Sequence, residues 1–373
     1  MSPTSYQTAP PRVAPYVLAK IDGHTTPARA PARHTLRRAV RHDTRSSIPP
    51  VHVAVVDIGT NSTRLLIADV DRDSGALREL ARRSEVTRLG EGVDASGSLS
   101  DAAIDRVIGV LNEYHDEIKQ HECEANLAVL TSAVRDAENG EQFAERLRKD
   151  YGLDARVLRG EEEAQLTFLG AMSGQAGPDR RSGSDNGNAD PKSSEPTVVI
   201  DVGGGSTEFV VGRRHTAGFH VSLQAGVVRM SERHIDSDPP EPKELQALAA
   251  DVREVFADGL PKSEREHVTR GIAVAGTATQ AAAIEQELEP YDPMRVDGYD
   301  LQLATIELLL ARLADMDEAK RREVVGLHPD RAPTIVAGMI VLSEALRAFG
   351  LEHVEVSEHD ILHGGALRLA GVD

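Results

Sequence analysis

Cysteine is almost absent from this chain. The single one, Cys123, excludes an internal disulfide and any cysteine-rich zinc site, and it fits a reducing, cytoplasmic setting. Aromatic residues make up 3% and Trp is missing, which leaves little from which to build a stacking platform for bases or sugars. No charge-free apolar run is long enough to cross a membrane, and no N-terminal apolar stretch reads as a secretion signal. Positive charge is also in short supply, with 42 Lys/Arg against 60 Asp/Glu and a net charge of −18. Residues 1–50 hold eight Lys/Arg against two Asp/Glu, about +6, leaving about −24 on the remainder. So acidic a body repels bulk nucleic acid, and no nucleic-acid or membrane partner is expected. A small polyanion is not excluded, because a divalent cation can bridge two anionic partners and Arg can be placed locally.

What is present is enough for two domains: 373 residues with 40% apolar content. Two stretches read as distorted copies of one another. One is Val55-Val56-Asp57-Ile58-Gly59-Thr60-Asn61-Ser62-Thr63-Arg64, the other Val199-Ile200-Asp201-Val202-Gly203-Gly204-Gly205-Ser206-Thr207-Glu208. Each is a β-branched run ending in Asp, followed by a turn of Gly, Ser and Thr. Such a turn presents backbone N–H groups to phosphate, while the Asp faces a divalent cation. Two of them imply a cleft gripped by related halves, and phosphoryl chemistry.

Residues 1–50 are Pro-, Ala-, Arg- and Thr-rich without a period, and are expected to be a disordered or untranslated basic tail. A first domain is read over 51–172, a flexible linker or insertion over 173–196, a second domain over 197–350, and a C-terminal segment over 351–373 that packs back on the first. Strands are expected at 51–56, 63–70, 77–89, 126–130, 154–158, 197–201, 208–211, 221–223, 271–275 and 354–357. Helices are expected at 99–123 with Ser100 as N-cap, and at 142–150, 161–172, 241–256, 301–314, 331–349 and 360–369. This alternation is α/β, with sheets covered by helices.

Asp57 and Asp201 end buried strands beside turns, where open α/β sheets place ligand groups. Glu208 follows Asp201 across the glycine turn, and three carboxylates suit a hard cation. The absence of a Lys rules out a Walker loop, and the spacing is not that of a dinucleotide fingerprint. Arg64 and Arg135 have the rigid fork that clamps phosphate oxygens, although a surface salt bridge explains Arg135 equally well. Glu161, Glu162 and Glu163 open a helix, where acidic residues are ordinary. One could serve as a general base, but the physics does not choose among them. His359 and His363 are four apart, and with no third ligand they read as core or surface residues.

Asp57-Ile58-Gly59-Thr60-Asn61-Ser62, Ser132-Ala133-Val134-Arg135, Gly160-Glu161-Glu162-Glu163-Ala164, the 201–208 loop and Gly276-Thr277-Ala278-Thr279 together resemble the exopolyphosphatase/guanosine pentaphosphate phosphatase family, over nearly all of 51–371. The resemblance implies an actin/sugar kinase/Hsp70-like fold of duplicated ribonuclease-H-like domains around a central cleft. It implies Mg²⁺-dependent hydrolysis, with Mn²⁺ as a substitute, of the terminal phosphate of inorganic polyphosphate or the 5′ γ-phosphate of pppGpp. It assigns Glu163 as the catalytic glutamate. Asp57, Asp201 and Glu208 become the metal-linked carboxylates, and Asn61, Ser62, Arg64, Arg135, Gly204, Gly205, Ser206 and Thr207 the substrate contacts. Family members are often homodimers.

The chain departs from the family pattern at Gln165, where many relatives have Arg, and in the longer 173–196 insertion. It resembles the short, two-domain form without a C-terminal helical domain, so short polyphosphates are expected to be preferred. The rivals are pppGpp hydrolysis, an ATP-dependent kinase, and a non-catalytic binder of polyphosphate or alarmone.

Overall fold

The computed structural model describes residues 49–174, 195–213 and 216–372. All but the last two residues of the tail read over 1–50, and most of the insertion read over 173–196, lie outside them.

The apolar, β-branched run at the start makes a strand buried on both faces, β1 (Val51–Ile58). It turns back into β2 (Thr63–Val70) and then β3 (Leu77–Glu85). A helical turn α1 (Val93–Ser96) and α2 (Asp101–Gln120) follow, with Ser100 capping α2 by accepting from the Ala103 amide at 3.2 Å. Next come β4 (Ala125–Leu130), α3 (Ser132–Asp136), α4 (Gly140–Tyr151), β5 (Ala155–Val157) and α5 (Gly160–Gly174). The sheet order is β3-β2-β1-β4-β5, antiparallel through β1 and parallel from β1 to β5.

The second half repeats the plan. It comprises β6 (Thr197–Val202), β7 (Thr207–Arg213), β8 (Thr216–Leu223), α6 (Val227–His234), α7 (Pro242–Gly259), α8 (Lys262–Arg265) and β9 (Arg270–Val274). These are followed by α9 (Ala275–Glu285), α10 (Pro293–Val296), β10 (Asp300–Gln302), α11 (Leu303–Ala314), α12 (Glu318–Arg321), α13 (Ile335–Phe349), β11 (His353–Val356) and α14 (Ile361–Ala370). Its sheet runs β10-β11-β9-β6-β7-β8, with β6-β7-β8 antiparallel and β9 and β11 parallel to β6. Apart from the extra edge strand β10, the two orders match strand for strand. These are the duplicated α/β halves that the resemblance implies.

Side-chain alternation sorts the packing. Ala54, Val56 and Ile58 face α2, while Val51, Val53 and Val55 face Leu362, Ala366 and Leu367 of α14. In the second sheet Val198, Ile200 and Val202 face α7 and α13, while Val199, Val210 and Ile272 face Ala164, Phe168 and Ala171 of α5. The inner helices α5 and α14 touch through backbone. A Cβ on Gly170 would lie 1.8 Å from the Asp360 carbonyl, and one on Gly364 1.9 Å from the Leu166 carbonyl.

Several elements differ from the sequence reading. The strand read over 77–89 stops at Glu85. The strand read over 271–275 stops at Val274, and Gly276-Thr277-Ala278-Thr279, where no helix is expected, lies at the start of α9, which has no side-chain cap to announce it. β8 begins at Thr216 rather than 221, because its alternation is weak on a half-exposed strand. Residues 301 and 302, read as the start of a helix, belong to β10, which pairs with β11. Within 351–373 only α14 lies on the first sheet, since β11 is held in the second by parallel pairing with β9.

Candidate active site

The duplicated hairpins place their loops face to face. Asp57 pairs across its strands with Arg64, and Asp201 with Glu208. In loop 59–62 the carbonyls of Thr60 and Asn61 accept from the amides of Gly90 and Arg88 at 2.8 and 2.9 Å. In loop 203–206 the carbonyls of Gly203 and Gly204 accept from Val227 and Val228 at the start of α6, at 2.9 and 2.8 Å. With their carbonyls tethered on one side, the amides of Thr60, Asn61 and Ser62, and of Gly204, Gly205 and Ser206, have no protein acceptor among the described residues. This is the geometry of an anion nest, built twice. The glycines permit the approach, for a Cβ on Gly204 would lie 2.8 Å from Thr60 Cβ and one on Gly205 2.5 Å from Ser132 Oγ.

Structure separates the three glutamates that open α5. Glu161 is exposed beside His220 at 3.3 Å. Glu162 accepts from the Arg159 amide at 3.1 Å. Glu163 is buried and accepts from Arg135 Nη1 at 2.8 Å, and Arg135 also donates to the Leu158 carbonyl at 3.0 Å. Burial, then the like charge of Glu208, push the Glu163 carboxyl well above the usual range against the pull of Arg135. Asp201 is raised well above its ordinary range by the same two causes, burial and Glu208. Glu208 is raised by burial, partly offset by the hydroxyls of Ser206 and Ser222, which donate to its Oε1 at 2.6 and 2.7 Å.

Arg64 closes the other side. Its Nε and Nη2 donate to Asp57 Oδ2 at 2.9 and 2.6 Å, and its Nη1 donates to Asp360. Burial raises the Asp57 carboxyl despite Arg64. Burial also opposes ionisation of Asp360, but Arg64, His363 and Arg82 outweigh it and hold that carboxyl well below the usual range. Asp57 Oδ1 and Asn61 Nδ2 are buried with no hydrogen-bond partner among the described residues.

Asp57, Asn61, Ser62, Arg64, Glu163, Asp201, Gly204, Ser206 and Glu208 all line one small cavity of about 70 Å³. Three residues read as substrate contacts are engaged by the protein itself: Arg135 by Glu163, Arg64 by the two aspartates, and Thr207 by the Ala225 carbonyl at 2.7 Å. Among the described residues no group of three or more His, Cys, Asp or Glu is gathered as a ready cation cage. Asp57 faces Arg64, which leaves Asp201 and Glu208 as adjacent buried carboxylates with no ion-pair partner among the described residues. That pair fits a hard cation that keeps several waters and takes the rest of its ligands from substrate phosphate.

Asp360 and Arg331 escaped the sequence reading. Asp360 looked only like the start of α14, whose Leu362 amide it does cap at 3.0 Å. Arg331 follows an ordinary Pro-Asp turn; its guanidinium has no carboxylate partner among the described residues. Burial, then Arg64, push it down to about 10. It lies over Gly276, between the small cavity and a larger one of about 840 Å³. Ala275, at the junction of the two, has a left-handed φ of 65°. His359 and His363 stack with ring centroids 4.2 Å apart although α14 starts only at Ile361, and His363 pairs with Glu79 at 2.9 Å.

The family model described as the Ppx/GppA phosphatase family matches residues 66–182 and 187–370. The chain is similar to exopolyphosphatase 2 of Mycobacterium tuberculosis, 36% identical over 330 residues that cover 86% of this chain and 98% of that one. Among solved structures it is similar to an exopolyphosphatase from Cytophaga hutchinsonii, with TM-score 0.74, 25% identity and coverage of 86% and 99%. The Aquifex aeolicus member of the Ppx/GppA family matches with TM-score 0.69, 28% identity and coverage of 87% and 97%.

Proposed function

The chain belongs to the Ppx/GppA phosphatase family, and we propose that it is an exopolyphosphatase that removes the terminal phosphate of inorganic polyphosphate by attack of water. Relatives named as exopolyphosphatases support the substrate class. The observation that carries the reaction is Glu163, a buried carboxylate oriented by Arg135 beside two loops of free backbone amides.

The terminal phosphoryl group sits between the two loops, whose amides take up the charge that develops on its oxygens. Glu163 orients a water in line with the scissile P–O bond and accepts its proton as the O–P bond forms. The shortened chain leaves with the electrons of the broken bond. Burial raises the Glu163 carboxyl above the ordinary glutamate range, which makes its ionised form a stronger base. Asp201 and Glu208 would hold Mg²⁺, or Mn²⁺ in its place, and the bound ion supplies positive charge against the phosphoryl oxygens. Arg331 is placed to meet a phosphate next to the terminal one.

Short chains are the favoured substrate in this reading. Gln165, exposed on α5, offers no cation there to a long anionic chain. The second reading, pppGpp 5′-phosphohydrolase, is supported by the cavity of about 840 Å³, which adjoins the reacting centre through Arg64, Gly276 and Arg331 and has room for a nucleoside. Phosphate release from tripolyphosphate, long-chain polyphosphate and pppGpp, measured in parallel with Mg²⁺ and with Glu163→Gln as control, tests both. Release fastest from tripolyphosphate and lost in the variant supports the proposal. Preference for pppGpp moves the assignment to the second reading, and no release from any of them contradicts both.

A further inference from the structure

Arg229, on α6, lines neither cavity and has only 11% of its side chain exposed. Its guanidinium donates in three directions. Nε bonds the Gly205 carbonyl at 2.8 Å, Nη2 bonds Asp136 at 2.6 Å, and Nη1 bonds Asp94. Gly205 belongs to the loop 203–206 of the second half, whereas Asp94 and Asp136 belong to α1 and α3 of the first. Two neighbours on the same helix reinforce the span: Arg233 Nη2 donates to Asp94 at 2.9 Å, and Glu232 accepts from the Gly92 amide at 3.0 Å.

From this arrangement we propose that Arg229 is a positioning residue for the hydrolysis, a clasp between the halves that sets the second phosphate-binding loop and the Arg135–Glu163 pair together. The inference rests on the hydrolytic reading of the cleft. Asp136 adjoins Arg135 on α3, and Arg135 is the residue that grips Glu163. On its other side Arg229 holds the carbonyl of Gly205, one residue from Ser206 and three from Glu208. The base and the amide nest therefore share one rigid group although they come from different segments. Neither half alone satisfies the guanidinium, so its full set of bonds exists only when the halves are together. A lysine has one compact charge and cannot reach three acceptors in a fixed plane. Partly exposed ion pairs add little to stability, so the value of the clasp lies in placement, where an error of about 1 Å is worth about a hundredfold in rate.

The test compares Arg229→Gln, Asp136→Asn and the double variant with the full-length wild-type chain, by amide hydrogen exchange and by steady-state kinetics. Asp136→Asn should speed exchange at Gly203, Val227 and Val228, whose amides hold the loop of the other half. Arg229→Gln should do the same and also loosen residues 132–136. With tripolyphosphate, kcat should fall about tenfold or more while KM stays within about twofold, and the double variant should be no slower than Arg229→Gln alone. Exchange changes confined to the mutated half, or kinetic losses that multiply, would overturn the clasp. If Arg229→Gln does not fold, the crossed exchange response to Asp136→Asn decides alone. If the wild-type chain releases no phosphate, the functional reading fails on its own, while exchange still reports whether the clasp joins the halves.

Discussion

Arg64 and Glu208 occupy equivalent positions in the two hairpins, each opposite the aspartate that ends or nearly ends the preceding strand. One duplicated scaffold thus carries opposite charges at matching places. In the first half Arg64 neutralises Asp57 and also reaches Asp360. In the second, Glu208 adds a like charge beside Asp201, so one side of the cleft is neutralised by protein while the other holds two adjoining buried carboxylates.

That imbalance makes the second side a source of instability. Burial raises Asp201, Glu208 and Glu163 above their unfolded values, so their contribution to stability is fully present below the ordinary carboxylate range and is lost as pH rises through the folded values. Metal-free Asp201→Asn should therefore melt higher than wild type at about pH 8, by on the order of 1 kcal/mol or roughly 2–4 °C, with the gap closing towards about pH 5. Thermal melts in chelator across that range check it. The same variant should lose turnover.

Glu163→Gln should lower kcat by about 10²–10⁴-fold with little effect on KM. The acidic limb of the wild-type pH–rate profile should lie above the range of an ordinary glutamate. Arg135 pulls the Glu163 carboxyl down, so Arg135→Gln should move that limb to still higher pH. Initial rates over a pH series read both effects.

Asp360 has the opposite sign. Its folded value is depressed, so its stabilisation is present above the ordinary aspartate range and is lost as pH falls through the folded value. Asp360→Asn keeps a good helix cap but removes the charge facing Arg64. It should destabilise by about 1.5–3 kcal/mol at neutral pH, and the difference from wild type should shrink in acid. Urea unfolding at two pH values measures the difference.

Gly170→Ala and Gly364→Ala place a methyl group where α5 meets α14 through backbone, less than 2 Å from a carbonyl oxygen. Each should cost about 1–3 kcal/mol or more. Because Glu163 opens α5, turnover should fall along with the melting temperature, which paired melting and rate measurements would show.

These residues also mark how far the sequence could be read. The two hairpins were legible because a β-branched run, an aspartate and a glycine-rich turn are all local signals, and they recur. Register then fixed the pairings of Asp57 with Arg64 and Asp201 with Glu208. The choice of Glu163 over Glu161 and Glu162 was not legible from composition, since only the facing of α5 separates a buried carboxylate from two that meet solvent or a backbone amide. Asp360 was hidden because it meets Arg64 from 296 residues away and presents itself locally as a helix cap. Arg331 had no signal at all, for its meaning comes from lacking an ion-pair partner, among the described residues, in a place that only the folded chain defines. α9 was not legible as a helix because Thr277 to Ile284 are buried all round, so no apolar stripe marks it.

Hydrolysis of tripolyphosphate in ¹⁸O-labelled water, with mass analysis of the released orthophosphate, tests the central claim most directly. Attack of water activated by Glu163 predicts one solvent oxygen in each phosphate released by the wild-type chain, and almost no release by Glu163→Gln. Unlabelled phosphate, transfer to another acceptor, or equal release by the variant would contradict it.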